Sequence, residues 1–231
     1  KALIEANRDD LAATITKECG KTLAESQGEI QRGIENIEVA CGAPMLMQGT
    51  NNEDIARGID EHMIRQPLGV AAAITPFNFP AMIPLWFMPY AVATGNAFIL
   101  KPSEKVPMSA AKMMELVEQA GFPKGIIQMV NGSKEAVDAI LDHPTIRAIS
   151  FVGSTPVAKY IYQRGAANGK RVQAQGGAKN PVVIMPDADM DTTTKIVADS
   201  AFGCAGQRCL AASVGITVGK ARNEFLERLA D

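Results

Sequence analysis

The spacing of hydrophobic positions changes several times along the chain. Leu3, Ile4, Leu11, Ala12 and Ile15 recur near helical spacing with charges between them, and Gly20 stands as a C-terminal stop. A second stretch from about Leu23 to Ala40 places Ile30, Ile34, Ile37 and Ala40 on one face, with Gly42 and Pro44 expected to end it. From Gly49 to Pro67 the composition is polar and acidic, with short alternation at Ile55, Ile59, Met63 and Ile64, which predicts an edge hairpin or connector. Short apolar runs then alternate with helical spacing. Strands are predicted at Gly69 to Ile74, Ala97 to Leu100, Ile126 to Val130, Ile146 to Val152, Val172 to Gln175 and Val182 to Met185. Helices are predicted from near Ala81, from Met108 to Ala120, from Lys134 to Leu141, and after Thr155 through Tyr162. Strand alternating with helix across short loops predicts a mainly parallel sheet with crossovers, and apolar strands without alternation predict burial on both faces. Ligands of such sheets gather at the carboxyl ends of the strands. Thr75-Pro76, Lys101-Pro102-Ser103 and Gly153-Ser154-Thr155, which close three of these strands, are therefore the expected binding rim.

With 231 residues, 47% hydrophobic and 21% charged, the chain holds enough apolar surface for a globular core and falls outside the disordered class. The net charge is −2 and the charges are interspersed, so no basic stripe points to nucleic acid and no Lys/Arg block to a membrane surface. The longest apolar run, Ala81 to Ala93, contains Pro84 and Pro89 and is too short to span a bilayer. There is no secretory signal at Lys1, and the absence of an initial Met is expected of a cut or incomplete N-terminus. Cys19, Cys41, Cys204 and Cys209 have no framework spacing, which fits a reduced intracellular compartment. With His62 and His143 the only histidines and no H-E-x-x-H or C-x-x-C, no metal site is expected. Neither G-x-G-x-x-G nor a P-loop occurs, so a dinucleotide would have to bind by another arrangement.

The segment Phe202-Gly203-Cys204-Ala205-Gly206-Gln207-Arg208-Cys209 carries the clearest chemistry. A thiol attacks a carbonyl as thiolate, and only where the backbone lets the substrate approach. Glycine permits the approach, and the neighbouring Arg208 guanidinium favours the charged sulfur. Together with its place downstream of several strand-to-loop junctions of a nucleotide-binding type, this combination points to chemistry on an aldehyde rather than to a buried structural cysteine.

Thr75-Pro76-Phe77-Asn78-Phe79-Pro80, Leu100-Lys101-Pro102-Ser103-Glu104, Phe151-Val152-Gly153-Ser154, Gly176-Gly177-Ala178-Lys179-Asn180-Pro181 and Gly206-Gln207-Arg208-Cys209 follow one another in the order seen in aldehyde dehydrogenases, which the whole chain resembles. It resembles the CoA-acylating methylmalonate-semialdehyde dehydrogenases more closely, through Arg32-Gly33-Ile34-Glu35, Cys41-Gly42-Ala43-Pro44 and Gly177-Ala178-Lys179-Asn180. The resemblance implies an α/β fold, with a mostly parallel five-stranded Rossmann-type cofactor sheet and the beginning of an α/β catalytic domain. Residues 1–48 would be the N-terminal helical part of the cofactor domain, 49–67 a connector or oligomerisation hairpin, 68–177 the NAD-binding domain and 178–231 the start of the catalytic domain.

The same resemblance implies site roles. Cys209 would be the nucleophile that forms a thiohemiacetal and then a thioester, with the Asn78 amide and the Cys209 N–H cradling the oxyanion. NAD would be the cofactor, contacted by Thr75, Pro76, Phe77, Lys101, Ser103, Glu104, Gly153 and Ser154. Lys101 and Glu104 would hold the adenosine ribose, the carboxylate disfavouring the 2′-phosphate of NADP, while Ser154 at a helix start would meet the pyrophosphate. Arg208, with Arg32 as a second candidate, would hold a substrate carboxylate.

Hydrolytic members carry a general-base glutamate three residues before the second glycine of Gly176-Gly177. Here that position is Ala174, flanked by Gln173 and Gln175, so CoA is the expected acyl acceptor. The expected reaction is oxidation of methylmalonate or malonate semialdehyde to propionyl-CoA or acetyl-CoA and CO₂. A hydrolytic aldehyde dehydrogenase using another base, and a catalytically incomplete NAD-binding piece, remain open at this point. Partners expected from the family are a small semialdehyde, CoA and further copies of the chain, with no nucleic acid or membrane. The location expected is cytoplasmic in a bacterium and the mitochondrial matrix in a eukaryote. Family members are longer, so the chain is expected to be a fragment with little activity alone.

Overall fold

The computed structural model describes residues 1–230 and divides into two units, Lys1–Gly176 and Gly177–Asp231. In chain order the first unit contains α1 (Ala2–Ala6), α2 (Arg8–Cys19), α3 (Leu23–Cys41), α4 (Ala43–Leu46), β1 (Thr50–Ala56), β2 (Ile59–Met63), β3 (Val70–Ile74), α5 (Met82–Ala93), β4 (Ala97–Lys101), α6 (Pro107–Gln119), β5 (Ile127–Met129), α7 (Lys134–Asp142), β6 (Ile146–Val152), α8 (Thr155–Ala167) and β7 (Arg171–Gln175). The second contains β8 (Asn180–Ile184), α9 (Met190–Phe202), a 3₁₀ turn at Gly203–Gly206, β9 (Ala212–Thr217) and α10 (Ala221–Ala230).

Five strands form one parallel sheet in the order β5-β4-β3-β6-β7, as the alternation of short apolar runs with helices predicts. Side chains of β3 alternate between two cores. Ala73 joins Phe98 and Leu100 of β4 under α2, α3, α5 and α6, where Leu11, Ile15, Ile30, Leu85 and Met113 are buried. Ala72 and Ile74 join Ile149 and Phe151 of β6 under α7 and α8, where Leu141 and Ile161 are buried. Helices therefore cover both faces of the central strands. Gly33 and Gly165 let helices approach closely: a Cβ on Gly33 would lie 2.5 Å from Leu85 Cδ1, and one on Gly165 would lie 2.7 Å from Val172 Cγ2.

The N-terminal helices obey their stop and start signals. Gly20 ends α2 in the left-handed conformation at φ 82°, and Thr22 with Glu25 forms a capping box at the start of α3. Pro44 departs from expectation. It does not close a helix but sits in the first turn of α4, where a missing N–H costs nothing. β1 and β2 pair antiparallel as an exposed hairpin with an irregularity between Asn52 and Ala56.

In the second unit β8 and β9 pair in parallel, with Ile184, Met190, Val197, Ala221 and Phe225 forming a small core between this ribbon, α9 and α10. The run expected at Val182 to Met185 is β8, shifted toward its N-terminus by two residues at its start and by one at its end. Among the described residues no helix is long and apolar enough to cross a membrane.

Candidate active site

The strand order of the first unit reverses between β3 and β6, and the crevice outside the carboxyl ends at such a switch point is where ligands bind in open parallel sheets. Register assembles the rim. Ile74 of β3 pairs with Lys101 of β4 on one side and Phe151 of β6 on the other, so the segments after these three residues leave the sheet side by side. The Thr75 N–H donates to Lys101 O at 3.1 Å. Its hydroxyl is buried with no hydrogen-bond partner, an orphan polar atom at the strand end. Pro76 is half-buried; Phe77 is exposed, with Lys105 Nζ 5.0 Å from its ring centroid.

Lys101 is buried and its Nζ lies 3.2 Å from Oε2 of Glu104, whose side chain is half-exposed. A hydrogen bond from its own backbone N–H holds the Glu104 carboxyl below the usual glutamate range. Burial opposes this, and the hydrogen bond and charge of Lys101, with the charge of Lys105, add to it. Ser103 is buried and its Oγ accepts from the Lys105 N–H at 3.3 Å. The Gly153 N–H donates to Gln175 O at 3.1 Å, and a Cβ at Gly153 would stand 2.4 Å from Phe151 Cζ. Ser154 occupies the N-cap of α8, yet its hydroxyl makes no cap bond. At Gly176 a Cβ would meet Thr155 Oγ1 at 3.1 Å, so this glycine keeps β7 close to the helix start.

An ammonium beside a carboxylate offers a donor and an acceptor to a vicinal diol, and the start of α8 offers N–H groups to a phosphate. The residues present fit a dinucleotide such as NAD without a G-x-G-x-x-G loop. An apolar cavity of 290 Å³ elsewhere in this unit, walled by Ile37, Leu85, Met88, Leu116 and Phe122 among others, contains none of these rim residues. Its only charged lining residue is Lys1, so it lacks the polar groups needed to orient a nucleotide.

Asn78 lies in the turn between β3 and α5 and is half-buried. Its backbone carbonyl accepts from Lys21 Nζ at 2.6 Å and from Cys19 Sγ at 3.7 Å. Lys21 also pairs with Oε2 of Glu29 at 2.6 Å, both side chains being fully buried, and its Nζ stands 4.1 Å from the Phe79 ring centroid. Oε1 of Glu29 accepts the Ala81 and Met82 N–H groups at 2.8 and 3.0 Å. Sequence reasoning missed this pair. The available signal was Glu29 itself, a charge within the buried stripe of Ser26, Ile30, Gly33 and Ile34 on α3, where an acid needs a partner. Arg32, on the same helix, is exposed.

In the second unit the approach to Cys209 is a left-handed turn. Cys204 and Ala205 both have φ 53°, and Gly206 has φ 71°. Two successive non-glycine residues in this region are costly and persist only where the surrounding structure holds them there. Cys204, within the turn, is buried, whereas Cys209, after it, is exposed. The guanidinium of Arg208 folds back onto Gly203, where an added Cβ would lie 2.8 Å from Cζ. Asn180 at the start of β8 donates from Nδ2 to Cys209 O at 2.8 Å and Ala211 O at 3.1 Å. The sequence marked Asn180 only as part of a motif; the structure gives it the task of tying the cysteine loop to the ribbon.

Comparison with known proteins bears on the family and the fold. The Aldehyde dehydrogenase family matches residues 1–231. Malonate-semialdehyde dehydrogenase 1 of Oceanobacillus iheyensis is 53% identical over 227 residues, 98% of this chain and 47% of that protein. Malonate-semialdehyde dehydrogenase of Pseudomonas aeruginosa is 52% identical over 219 residues, 95% of this chain and 44% of that one. The methylmalonate-semialdehyde dehydrogenase of Oceanimonas doudoroffii superposes with TM-score 0.96 at 49% identity, covering 99% of this chain and 47% of that structure. A Sinorhizobium meliloti 1021 structure described as a methylmalonate-semialdehyde dehydrogenase complexed with NAD gives 0.97 at 49% identity, covering 99% of this chain and 47% of the other. The chain thus spans about half the length of the curated relatives it matches. On this match and this fold, the chain belongs to the aldehyde dehydrogenase family.

Proposed function

We propose that the protein oxidises a semialdehyde acid, malonate or methylmalonate semialdehyde, through a thioester on Cys209 and passes the acyl group to CoA. The observation that carries the reading is the Cys209 loop: an exposed thiol after a left-handed turn, held through its carbonyl by Asn180 and preceded directly by Arg208. Relatives about half identical to this chain bear the name malonate-semialdehyde dehydrogenase, which supports the substrate class.

The Cys209 sulfur forms a bond to the aldehyde carbon and the carbonyl electron pair moves to oxygen. The Asn78 amide and the Cys209 N–H stabilise that oxyanion. NAD, when bound, supplies the acceptor for the hydride that leaves as the carbon–oxygen double bond re-forms. Lys101 and Glu104 would hold its adenosine ribose, while Ser154 and the start of α8 would meet its phosphates; Thr75, Pro76, Phe77, Ser103 and Gly153 would shape the surface between. Arg208 pairs with the substrate carboxylate, and Arg32 is a second candidate for that role.

Ala174 bears on the fate of the thioester. It pairs with Phe151 across β6 and β7 and packs half-buried against the core under α8, so a methyl group stands where hydrolytic members carry a carboxylate. The CoA thiolate attacks the thioester carbon and Cys209 leaves as thiolate, a step that needs no base to activate water. Loss of the β-carboxylate as CO₂, with a proton taken up at the α-carbon, gives acetyl-CoA or propionyl-CoA.

The test is product analysis of the full-length protein with malonate semialdehyde and NAD, with and without CoA. Thioester formed in proportion to NADH, with little turnover when CoA is omitted, is expected. Free acid formed at the same rate without CoA would contradict the reading.

A further inference from the structure

We propose that Lys21 and Glu29 are positioning residues for the reaction: this buried pair fixes the backbone of residues 78–82, beyond the Thr75-Pro76-Phe77 stretch read as facing NAD, so that the Asn78 carboxamide is held on the developing oxyanion. The inference rests on the reading of Asn78 as an oxyanion donor.

Pro76 and Pro80 have no N–H to donate, and the Thr75 N–H is used on Lys101 at the sheet edge. A side chain that must meet an oxyanion within a fraction of an ångström needs its backbone fixed from outside. Lys21 and Glu29 do this from both sides of Asn78. Lys21 Nζ binds the Asn78 carbonyl itself at 2.6 Å and lies against the ring of the next residue, Phe79, at 4.1 Å from its centroid. Glu29 takes the Ala81 and Met82 N–H groups at 2.8 and 3.0 Å, where its charge also meets the positive end of α5. The 2.6 Å bond between them makes the two grips one rigid unit spanning α3 and the turn. For stability alone a buried ion pair has little advantage over a well-packed apolar pair. The directed hydrogen bonds to one short turn are what an apolar pair could not reproduce.

The test uses single-turnover NADH formation by the full-length protein, together with NAD affinity. The pair variant Lys21→Met with Glu29→Gln leaves no unpaired charge and keeps an amide oxygen for Ala81 and Met82. It is measured alone and combined with Asn78→Ala. Asn78→Ala is expected to slow the step about 100-fold or more. The pair variant is expected to slow it about tenfold or more while NAD affinity stays within about threefold. The combined variant is expected to match Asn78→Ala within about twofold, since Lys21 and Glu29 act through Asn78 alone. A pair variant of unchanged rate, losses that multiply, or an equal loss of NAD affinity would each overturn the proposal. Should Asn78→Ala itself keep its rate, the oxyanion reading fails and this inference falls with it, an outcome visible before the pair is combined. If the pair variant does not fold, Lys21→Arg, which keeps the charge but cannot place a single nitrogen there, takes its place in the same cycle, and a multiplied loss overturns the proposal equally.

Discussion

The side-chain amide of Asn180 bridges the carbonyl oxygens of Cys209 and Ala211, so one residue at the start of β8 sets the path of the backbone on both sides of Leu210. Asn180→Ala removes both hydrogen bonds, and their loss is expected to cost about 1–2 kcal/mol of stability in a urea melt. The larger expected effect is on chemistry: single-turnover NADH formation falls about tenfold or more as the Cys209 loop loses its register. Asn180→Asp, which can accept but not donate, is expected to fare no better. A variant with a lowered melt and an unchanged rate would show that the loop keeps its own shape.

Glu104 supplies a pH prediction with a definite sign. Its folded-state carboxyl titrates below the usual glutamate range, first through its own backbone N–H and then through Lys101 and Lys105. The contribution of its charge is therefore fully present above the ordinary glutamate value of about 4.3 and is lost only as pH falls through the lower folded value. NAD affinity is expected to be flat between about pH 5 and 8 in the full-length protein. Glu104→Gln is expected to weaken NAD binding about tenfold across that whole window. Affinity that declines between neutrality and pH 5 would remove Glu104 from the cofactor site.

Gly153 joins β6 to α8 with no room for a side chain: a Cβ would overlap the Phe151 ring at 2.4 Å, and that ring is buried in the core under α8. Gly153→Ala is expected to destabilise the protein by about 1–3 kcal/mol, the cost of overpacking. The displaced strand end should also weaken NAD binding more than it slows thiol alkylation at Cys209. Equal stability and NAD affinity in the alanine variant would show that the ring yields freely.

The parallel sheet was legible because its three central strands are short apolar runs largely buried on both faces, and its rim because proline, glycine and serine close those strands. Lys101 and Glu104 were read together through the family resemblance, and standing three positions apart they do form an ion pair. Lys21 and Glu29 were not, since their shared target, the Asn78 turn, lies 57 residues beyond Lys21, and only folding brings them together. Pro44 misled because proline breaks a helix interior yet suits a first turn, and periodicity does not distinguish the two when one helix follows another directly. Past Met185 the signal fades: β9 is exposed along most of its length, with Gly215 within it, so it shows neither alternation nor an apolar run.

The most direct test of the account is the mass of the protein after one turnover without CoA. Full-length protein mixed with malonate semialdehyde and NAD is expected to gain an acyl adduct that maps to Cys209, forms in step with NADH, is absent from Cys209→Ser and is discharged as a CoA thioester when CoA is added. An adduct on another residue, or NADH formation undiminished in Cys209→Ser, would contradict it.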